Sequence, residues 1–524
     1  MCRLSPVTDR ETRRERRRGL RPGSGRGASI AWRDLAFALL VWGALLAGAG
    51  LRLWRLDHLS LWWDEAYSVG LSSRSAKAIV AESFGADYSP PLYYLALHAW
   101  TSVVGNGEAP VRSLSALFGI ASILLVYRLG SALFDRATGA LAAWLLALSA
   151  FHVEYSQEAR AYGLMAFLAL ASMLAYVRLL SGGGRSATAI YLLASAALLY
   201  THVYGLFFIL AQHVHYPLAR LQLRHEAALS WRHWTGLHVA LALLAAPLAA
   251  LVLGRVGDAA IEGFWLARPT LGTLKMSLAG YAGSPLLMWI FLGLAAVCAL
   301  DVRTARGRRT ATAGTGVPLP ALRAPVRSGL LLTWLIVPLA LPFLISQISM
   351  PMYHTRYAIG VLPALVLLAA GGAMRWPGPL PRAVFIAIVL GLSLMGSVRH
   401  LARASKEPWR EVVACVEANA RAGDVVLSDR VEVIRDIFGY YRKRQDLTFR
   451  ACEVWPPGLS EAECGELRCE LSRAFAGPGR VWLVRCRSHD DRQDLPRLLS
   501  ETRPRVTREQ RWLARRIEVI LFDQ

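Results

Sequence analysis

The sequence predicts a mainly α-helical, polytopic membrane protein that carries a soluble α/β domain at its C-terminal end, and three observations predict it. First, 54% of the 524 residues are hydrophobic and only 18% are charged, where soluble domains average about a quarter charged. A water-soluble chain could not hide that much apolar surface, so lipid must solvate most of it and an ordinary soluble enzyme is excluded. Second, apolar stretches long enough to span a bilayer recur near 35–53, 111–129, 137–151, 162–180, 187–202, 203–219, 236–253, 285–300, 328–346, 357–374 and 383–398, about eleven helices in all. Third, charges return after about residue 400. There Asp424-Val425-Val426-Leu427 and Val481-Trp482-Leu483-Val484 read as short buried strands, and Trp409–Arg421 reads as a helix. The expected organisation is a basic cytoplasmic arm over 1–34, a transmembrane domain over 35–398 and a soluble domain over 399–524.

The charge pattern orients this chain. Lys+Arg 59 against Asp+Glu 37 leaves a net +22, and its placement separates nucleic-acid binding from membrane topology. The densest run, Arg13 to Arg18 with Arg21, Arg26 and Arg33, directly precedes the first apolar segment, and the later arginines fall in short gaps between segments. Nucleic acid is therefore not an expected partner. Leu35–Leu53 is as long as a bilayer span with no small-residue cleavage site, so it reads as a retained anchor. Pro90–Val104 is shorter, opens with Pro90-Pro91 and carries His98. Treating it as a juxtamembrane helix puts the N-terminal arm, Arg128, Arg136, Arg178, Arg185, Arg220, Arg224, Arg232, Arg303, Arg306, Arg308, Arg309, Arg375 and Arg382 in the cytoplasm, as the positive-inside rule requires, with the N-terminus in and the C-terminal domain out. Thr310–Pro325, rich in Ala, Gly and Pro, reads as a flexible cytoplasmic loop. Cys415, Cys452, Cys464, Cys469 and Cys486 then face an oxidising exterior, where a disulfide is expected, and their spacing fits no zinc pattern.

The ionisable residues converge on one membrane face. Trp62-Trp63-Asp64-Glu65-Ala66-Tyr67 places two acids among aromatics just beyond the first span, where a partly dry site raises a carboxyl pKa and favours a base. Phe151 to Tyr162 joins two apolar segments with no room for a free loop. If that turn is helical, Glu154 and Glu158 stack four apart, a like-charge pair that calls for a cation from Arg160, a metal or a substrate. His202 and Tyr204 lie at a helix junction, and His354, Arg356 and Tyr357 begin a later helix. Arginine matches phosphate bidentately. Carboxylates, arginines and histidines at a lipid surface thus suit group transfer from a lipid phosphate. The helices alone would equally suit a transporter or flippase of lipid-linked sugars, although transporters place polar groups near the midplane.

These residues resemble the GT-C class of integral-membrane glycosyltransferases, in the branch of the protein mannosyltransferases, the aminoarabinose lipid A transferases and the rhizobial lipopolysaccharide sugar transferases. The resemblance rests on Trp63-Asp64-Glu65, Tyr88-Ser89-Pro90-Pro91-Leu92-Tyr93-Tyr94, Tyr155-Ser156-Gln157-Glu158-Ala159-Arg160-Ala161-Tyr162, Tyr200-Thr201-His202-Val203-Tyr204-Gly205 and Arg356-Tyr357, over roughly residues 30–375. It implies a polyprenyl-phosphate-linked sugar donor, a lipid, glycan or protein acceptor, inversion at the anomeric carbon, and a multi-pass cell-membrane enzyme acting outside the cytoplasm. It also implies Asp64 as general base beside Glu65. Glu158, Arg160, His202, Tyr204, His354, Arg356 and Tyr357 are expected to bind the donor phosphate or substrate. The resemblance fixes no cofactor, since the family's members differ in metal use, and a divalent metal at Glu154 and Glu158 stays open. Lys406-Glu407-Pro408-Trp409-Arg410-Glu411 and Gly423-Asp424-Val425-Val426 look like the start of the soluble domain in the sugar-transferase relatives.

Overall fold

The computed structural model describes residues 24–85, 89–223, 229–262, 266–300, 322, 324–428, 430–451, 473, 479–486, 508–514 and 517–523. A long helix, α1 (Ser24–Leu53), leads into three short ones, α2 (Trp63–Ser72), α3 (Ala76–Gly85) and α4 (Leu92–Val104). The bundle continues through α5 (Glu108–Leu133), α6 (Arg136–Ala147), α7 (Ala150–Ser156), α8 (Tyr162–Leu180), α9 (Gly184–Thr201), α10 (Gly205–Leu223) and α11 (Trp231–Glu262). It closes with α12 (Leu271–Ala282), α13 (Pro285–Leu300), α14 (Ala324–Ile348), a 3-10 turn at Thr355–Val361, α15 (Leu362–Ala373) and α16 (Pro379–Arg403). Residues 1–23 of the predicted cytoplasmic arm lie outside the described residues, while 24–34 already belong to α1; most of the loop over 310–325 also lies outside them.

Every predicted apolar stretch lies on helix, but fewer of them are simple spans. Seven helices are long and apolar enough to cross a bilayer, and up to nine spans result if α6 with α7 (bent 61°) and α12 with α13 (bent 87°) each count as one. The shortfall from eleven falls at α9 and α10, whose polar side chains bond to one another across the bundle. Tyr191 donates to Gln212 Oε1 at 2.7 Å, and Gln212 Nε2 donates to Ser172 Oγ at 3.0 Å. With 13 residues, α4 is about 20 Å long, too short for a hydrocarbon core of about 30 Å. It lies along the first loop, as its proline-led sequence predicts.

The break between α6 and α7 shows how the fold handles backbone groups in an apolar interior. Ser149 caps α7 by accepting from His152 N, while the carbonyls ending α6 have no partner in their own helix. Arg52, fully buried in the last turn of α1, donates to Leu146 O and Ala147 O at 3.0 Å each. At the neighbouring crossing, a Cβ on Gly130 would lie 2.7 Å from Gly139 Cα, so glycine there lets α5 and α6 touch backbone to backbone.

After α16 the chain forms α17 (Trp409–Asn419) and five strands, β1 (Val425–Ser428), β2 (Thr448–Ala451), β3 (Val481–Cys486), β4 (Arg508–Ala514) and β5 (Ile517–Asp523). They form one sheet in the order β2-β1-β3-β5-β4, with β1 parallel to both its neighbours and β3, β5 and β4 antiparallel. Both predicted strands are central ones, and Val425, Val426 and Trp482 are buried as their apolar runs require. This domain sits on the first loop: Ser60 Oγ donates to Glu411 Oε2 at 3.0 Å, and Tyr441 Oη accepts from Leu61 N at 2.7 Å. The expected disulfide does not involve Cys415, which is a free thiol; Cys452, Cys464 and Cys469 lie outside the described residues.

Candidate active site

The centre begins with the loop that precedes α2. Arg112, at the start of α5, spends its guanidinium on the Leu56, Leu59 and Ser60 carbonyls (2.6–3.0 Å) and on a bidentate pair with Glu65 (2.8 Å to each oxygen). Glu65 also receives Ala159 N at 3.0 Å and Lys406 Nζ at 2.8 Å. It therefore joins the first loop, α5, the turn after α7 and the linker to the soluble domain. Burial alone would push the Glu65 carboxyl up, but Lys406 and Arg112 override it and hold the group well below the usual carboxylate range. Glu65 is wholly buried. Glu65, expected beside Asp64 as a catalytic residue, is thus enclosed by its partners and presents no oxygen to open space.

Asp64, one residue earlier in the first turn of α2, points elsewhere and stays 28% exposed. Its Oδ2 lies 3.2 Å from Arg356 Nη1 and 3.9 Å from Arg160 Nε, yet accepts no aligned hydrogen bond. Arg160 is held by Asp64 O at 3.3 Å and Ser68 Oγ at 3.2 Å. Arg356 sits 5.4 Å over the Trp62 ring and 5.7 Å over Tyr162 and Tyr357. Two guanidiniums thus meet one carboxylate within an aromatic frame.

His202 and His354 complete that frame as neutral rings. Each accepts a backbone N–H at Nδ1, from Tyr204 at 3.1 Å and from Arg356 at 3.2 Å, which leaves the proton on Nε2. Burial lowers His202 to about 3, with Arg160 and Arg356 adding to the shift. Burial and Arg356 lower His354 to about 4 against the pull of Asp64. Tyr357 packs on His202 at 4.9 Å and on Tyr204 at 5.7 Å. A cavity beside them is lined by Ser89, Pro90, Tyr93, Arg160, Tyr162 and His202, so the Ser-Pro-Pro motif and the acidic-turn motif share one space.

The acidic turn differs from its predicted form. The helix α7 stops at Ser156, so Glu154 and Glu158 do not stack on one helical face. The cation is neither Arg160 nor required to be a metal: Lys406 Nζ lies 3.5 Å from Glu158 Oε1, and Glu154 faces His400 at 3.9 Å. Among the described residues no three His, Cys, Asp or Glu side chains gather as metal ligands. Glu158 is 94% buried and its Oε2 has no hydrogen-bond partner. Burial raises its pKa, Lys406 opposes and the Glu65 and Glu154 charges add, for a value of about 7.

Asp64, Arg160, Arg356, His202, Tyr204, His354 and Tyr357 therefore form one centre, with Glu65 and Glu158 directly behind it. Sequence reasoning missed Arg112 and left Lys406 without a role. The signal for Arg112 was an arginine at the first residues of an apolar helix, a costly place unless it is paired.

Comparison with solved structures decides the architecture. ArnT from Cupriavidus metallidurans in the apo state superposes with a TM-score of 0.60 at 13% identity, covering 94% of this chain and 98% of that one. The same protein bound to undecaprenyl phosphate gives 0.59 at 12% identity with the same coverage. The archaeal oligosaccharyltransferase AglB from Archaeoglobus fulgidus, in complex with an inhibitory peptide and a dolichol-phosphate, gives 0.52 at 11% identity, over 87% of this chain and 70% of that one. The chain has the GT-C fold. The sequence profile of the dolichyl-phosphate-mannose-protein mannosyltransferases matches residues 88–249 of this GT-C chain, from the Ser-Pro-Pro motif through α8, α9, α10 and most of α11. No curated protein sequence matches it.

Proposed function

We propose that this GT-C protein is a membrane glycosyltransferase that moves a sugar from a polyprenyl-phosphate donor to an acceptor hydroxyl outside the cytoplasm, with inversion. The observation that carries the reading is the Asp64 carboxylate held between Arg356 and Arg160. Before the donor arrives, the carboxylate occupies the position that suits a phosphate. Donor phosphate would take over the guanidiniums, which bind it bidentately, and release Asp64 to face the incoming hydroxyl. The acceptor oxygen then bonds to the anomeric carbon as the bond from that carbon to the phosphate oxygen breaks. The leaving phosphate keeps the electron pair and is stabilised by Arg356 and Arg160, while the acceptor proton passes to Asp64. His202 and His354, neutral and carrying Nε2–H, supply hydrogen bonds without competing for the proton. The ArnT structure bound to undecaprenyl phosphate and the AglB structure bound to a dolichol-phosphate support a lipid-phosphate donor by likeness of fold. The test is purified protein in vesicles given a polyprenyl-phosphate-linked sugar and envelope acceptor. Free polyprenyl phosphate and a glycosylated product are expected. Donor that crosses the bilayer uncleaved would overturn the reading in favour of a transporter.

A further inference from the structure

A second cavity lies away from the Asp64 centre. It is a cleft of about 660 Å³ between α2, the residues that open α5, and the soluble domain. Gly70 of α2 and Ser73, its C-cap, line it. They follow Asp64 by six and nine residues, which at 100° per residue turns them roughly 120–180° from it. The cleft and the centre thus share one helix and use opposite faces.

Its walls are cationic and already ordered. Arg74 is paired to Glu82 at 3.3 Å, Arg410 to Glu108 at 2.7 Å, and Arg435 to both oxygens of Asp436 at 2.8 Å. Each of these side chains is nevertheless 40–44% exposed. A guanidinium pinned on one edge keeps N–H donors on the other and loses little rotamer freedom on binding. Lys443 adds an exposed ammonium, so four lining cations stand against Glu108, Asp436 and the Glu82 paired to Arg74, a net of +1. Tyr440 and Tyr441, edge to face at 4.7 Å, form an aromatic wall, and Tyr440 is fixed by donating to Asn106 O at 2.9 Å. Guanidiniums for phosphate or carboxylate beside a phenol face for a sugar ring are the recognition elements of an acidic saccharide.

We propose that this cleft is a subsite for an anionic saccharide, and, resting on the function proposed above, that it holds a phosphate- or carboxylate-bearing part of the acceptor beside the helix that presents Asp64. Full-length protein in nanodiscs would be titrated with tetragalacturonate as the carboxylate probe, a mannose-6-phosphate oligosaccharide as the phosphate probe and maltotetraose as the neutral control. At least one anionic probe should bind, weaken as salt rises, and exceed the neutral one at least tenfold in affinity. Arg74→Gln with Lys443→Gln, both exposed positions, should weaken that binding at least tenfold, and Ser73→Trp should block the cleft, while Asp64→Asn should leave binding unchanged. Equal affinity for maltotetraose, no binding of either anionic probe, or binding indifferent to these cleft variants would overturn the proposal. Loss of transfer in Asp64→Asn alongside absent probe binding would sink the subsite alone; intact transfer in Asp64→Asn would sink the catalytic reading while leaving the binding result standing.

Discussion

Adjacent acids on the same helical turn have opposite fates, and neighbours rather than sequence separate them. Asp64 keeps an oxygen without an aligned donor, whereas Glu65 is closed in by Arg112, Lys406 and Ala159 N. Glu65→Gln should therefore act on stability. Glutamine removes the negative charge that compensates buried Arg112 and one of the five oxygens it donates to, which costs about 3–5 kcal/mol, readable as a lower unfolding temperature in detergent; an unchanged transition with lost activity would contradict the positioning role. Glu158 gives a test with a defined sign. Its folded pKa of about 7 stands above the ordinary carboxylate value near ~4.3, so the folded state binds the proton more tightly and loses stability as pH rises from about 4.5 to 7. Thermal stability of Glu158→Gln should fall less steeply across that window than wild type, and equal slopes would refute the assigned burial. The sequence showed which residue types gather, because aromatic-flanked acids and arginines beside membrane helices stand out. It did not show that Lys406, some 340 residues after Glu65, closes the site, since nothing local marks a contact of that range.

At the scale of elements, the apolar periodicity read out the helices but not their breaks. The runs over 137–151 and 162–180 gave no warning that α6 ends at Ala147 and that a separate short helix follows, because the bend is sustained by Arg52 from another helix. Arg52→Met should leave the Ala147 carbonyl without a donor and the Leu146 carbonyl with only Ser149 N at 3.3 Å, at about 1–3 kcal/mol, and Arg52→Lys should recover part of the loss. Unfolding of the two variants measured side by side checks this, and equal stability of Arg52→Met and wild type would refute it. The polar pairing of α9 with α10 follows the same logic. Tyr191 and Gln212 face each other, so these helices satisfy their polar groups within the bundle and lower the hydropathy by which spans are counted. In the soluble domain, alternation and β-branched runs located β1 and β3; β5 carries an equally apolar run, Val519-Ile520-Leu521-Phe522, that sequence reasoning missed, whereas β4, with Arg508, Glu509 and Arg511 among its residues, has none.

For the whole molecule, the first loop, the acidic turn, the α9–α10 junction, the 3-10 turn after α14 and the soluble domain all meet at one end of the bundle. That end is expected to face out of the cytoplasm. Ala418→Cys, exposed on α17, should react with a membrane-impermeant thiol reagent in intact cells; protection until lysis would reverse the orientation. Lys406 links the soluble domain to the acids behind the centre, so Lys406→Met should depress transfer and move its pH dependence by deepening the burial shift of Glu158. Whether Asp64 takes the acceptor proton is read from the initial rate of sugar transfer by purified Asp64→Asn protein in nanodiscs, beside its affinity for polyprenyl phosphate. The rate should fall by about 10²–10⁴, with phosphate affinity kept or increased because Arg356 and Arg160 no longer have a carboxylate to leave. An undiminished rate would contradict that role.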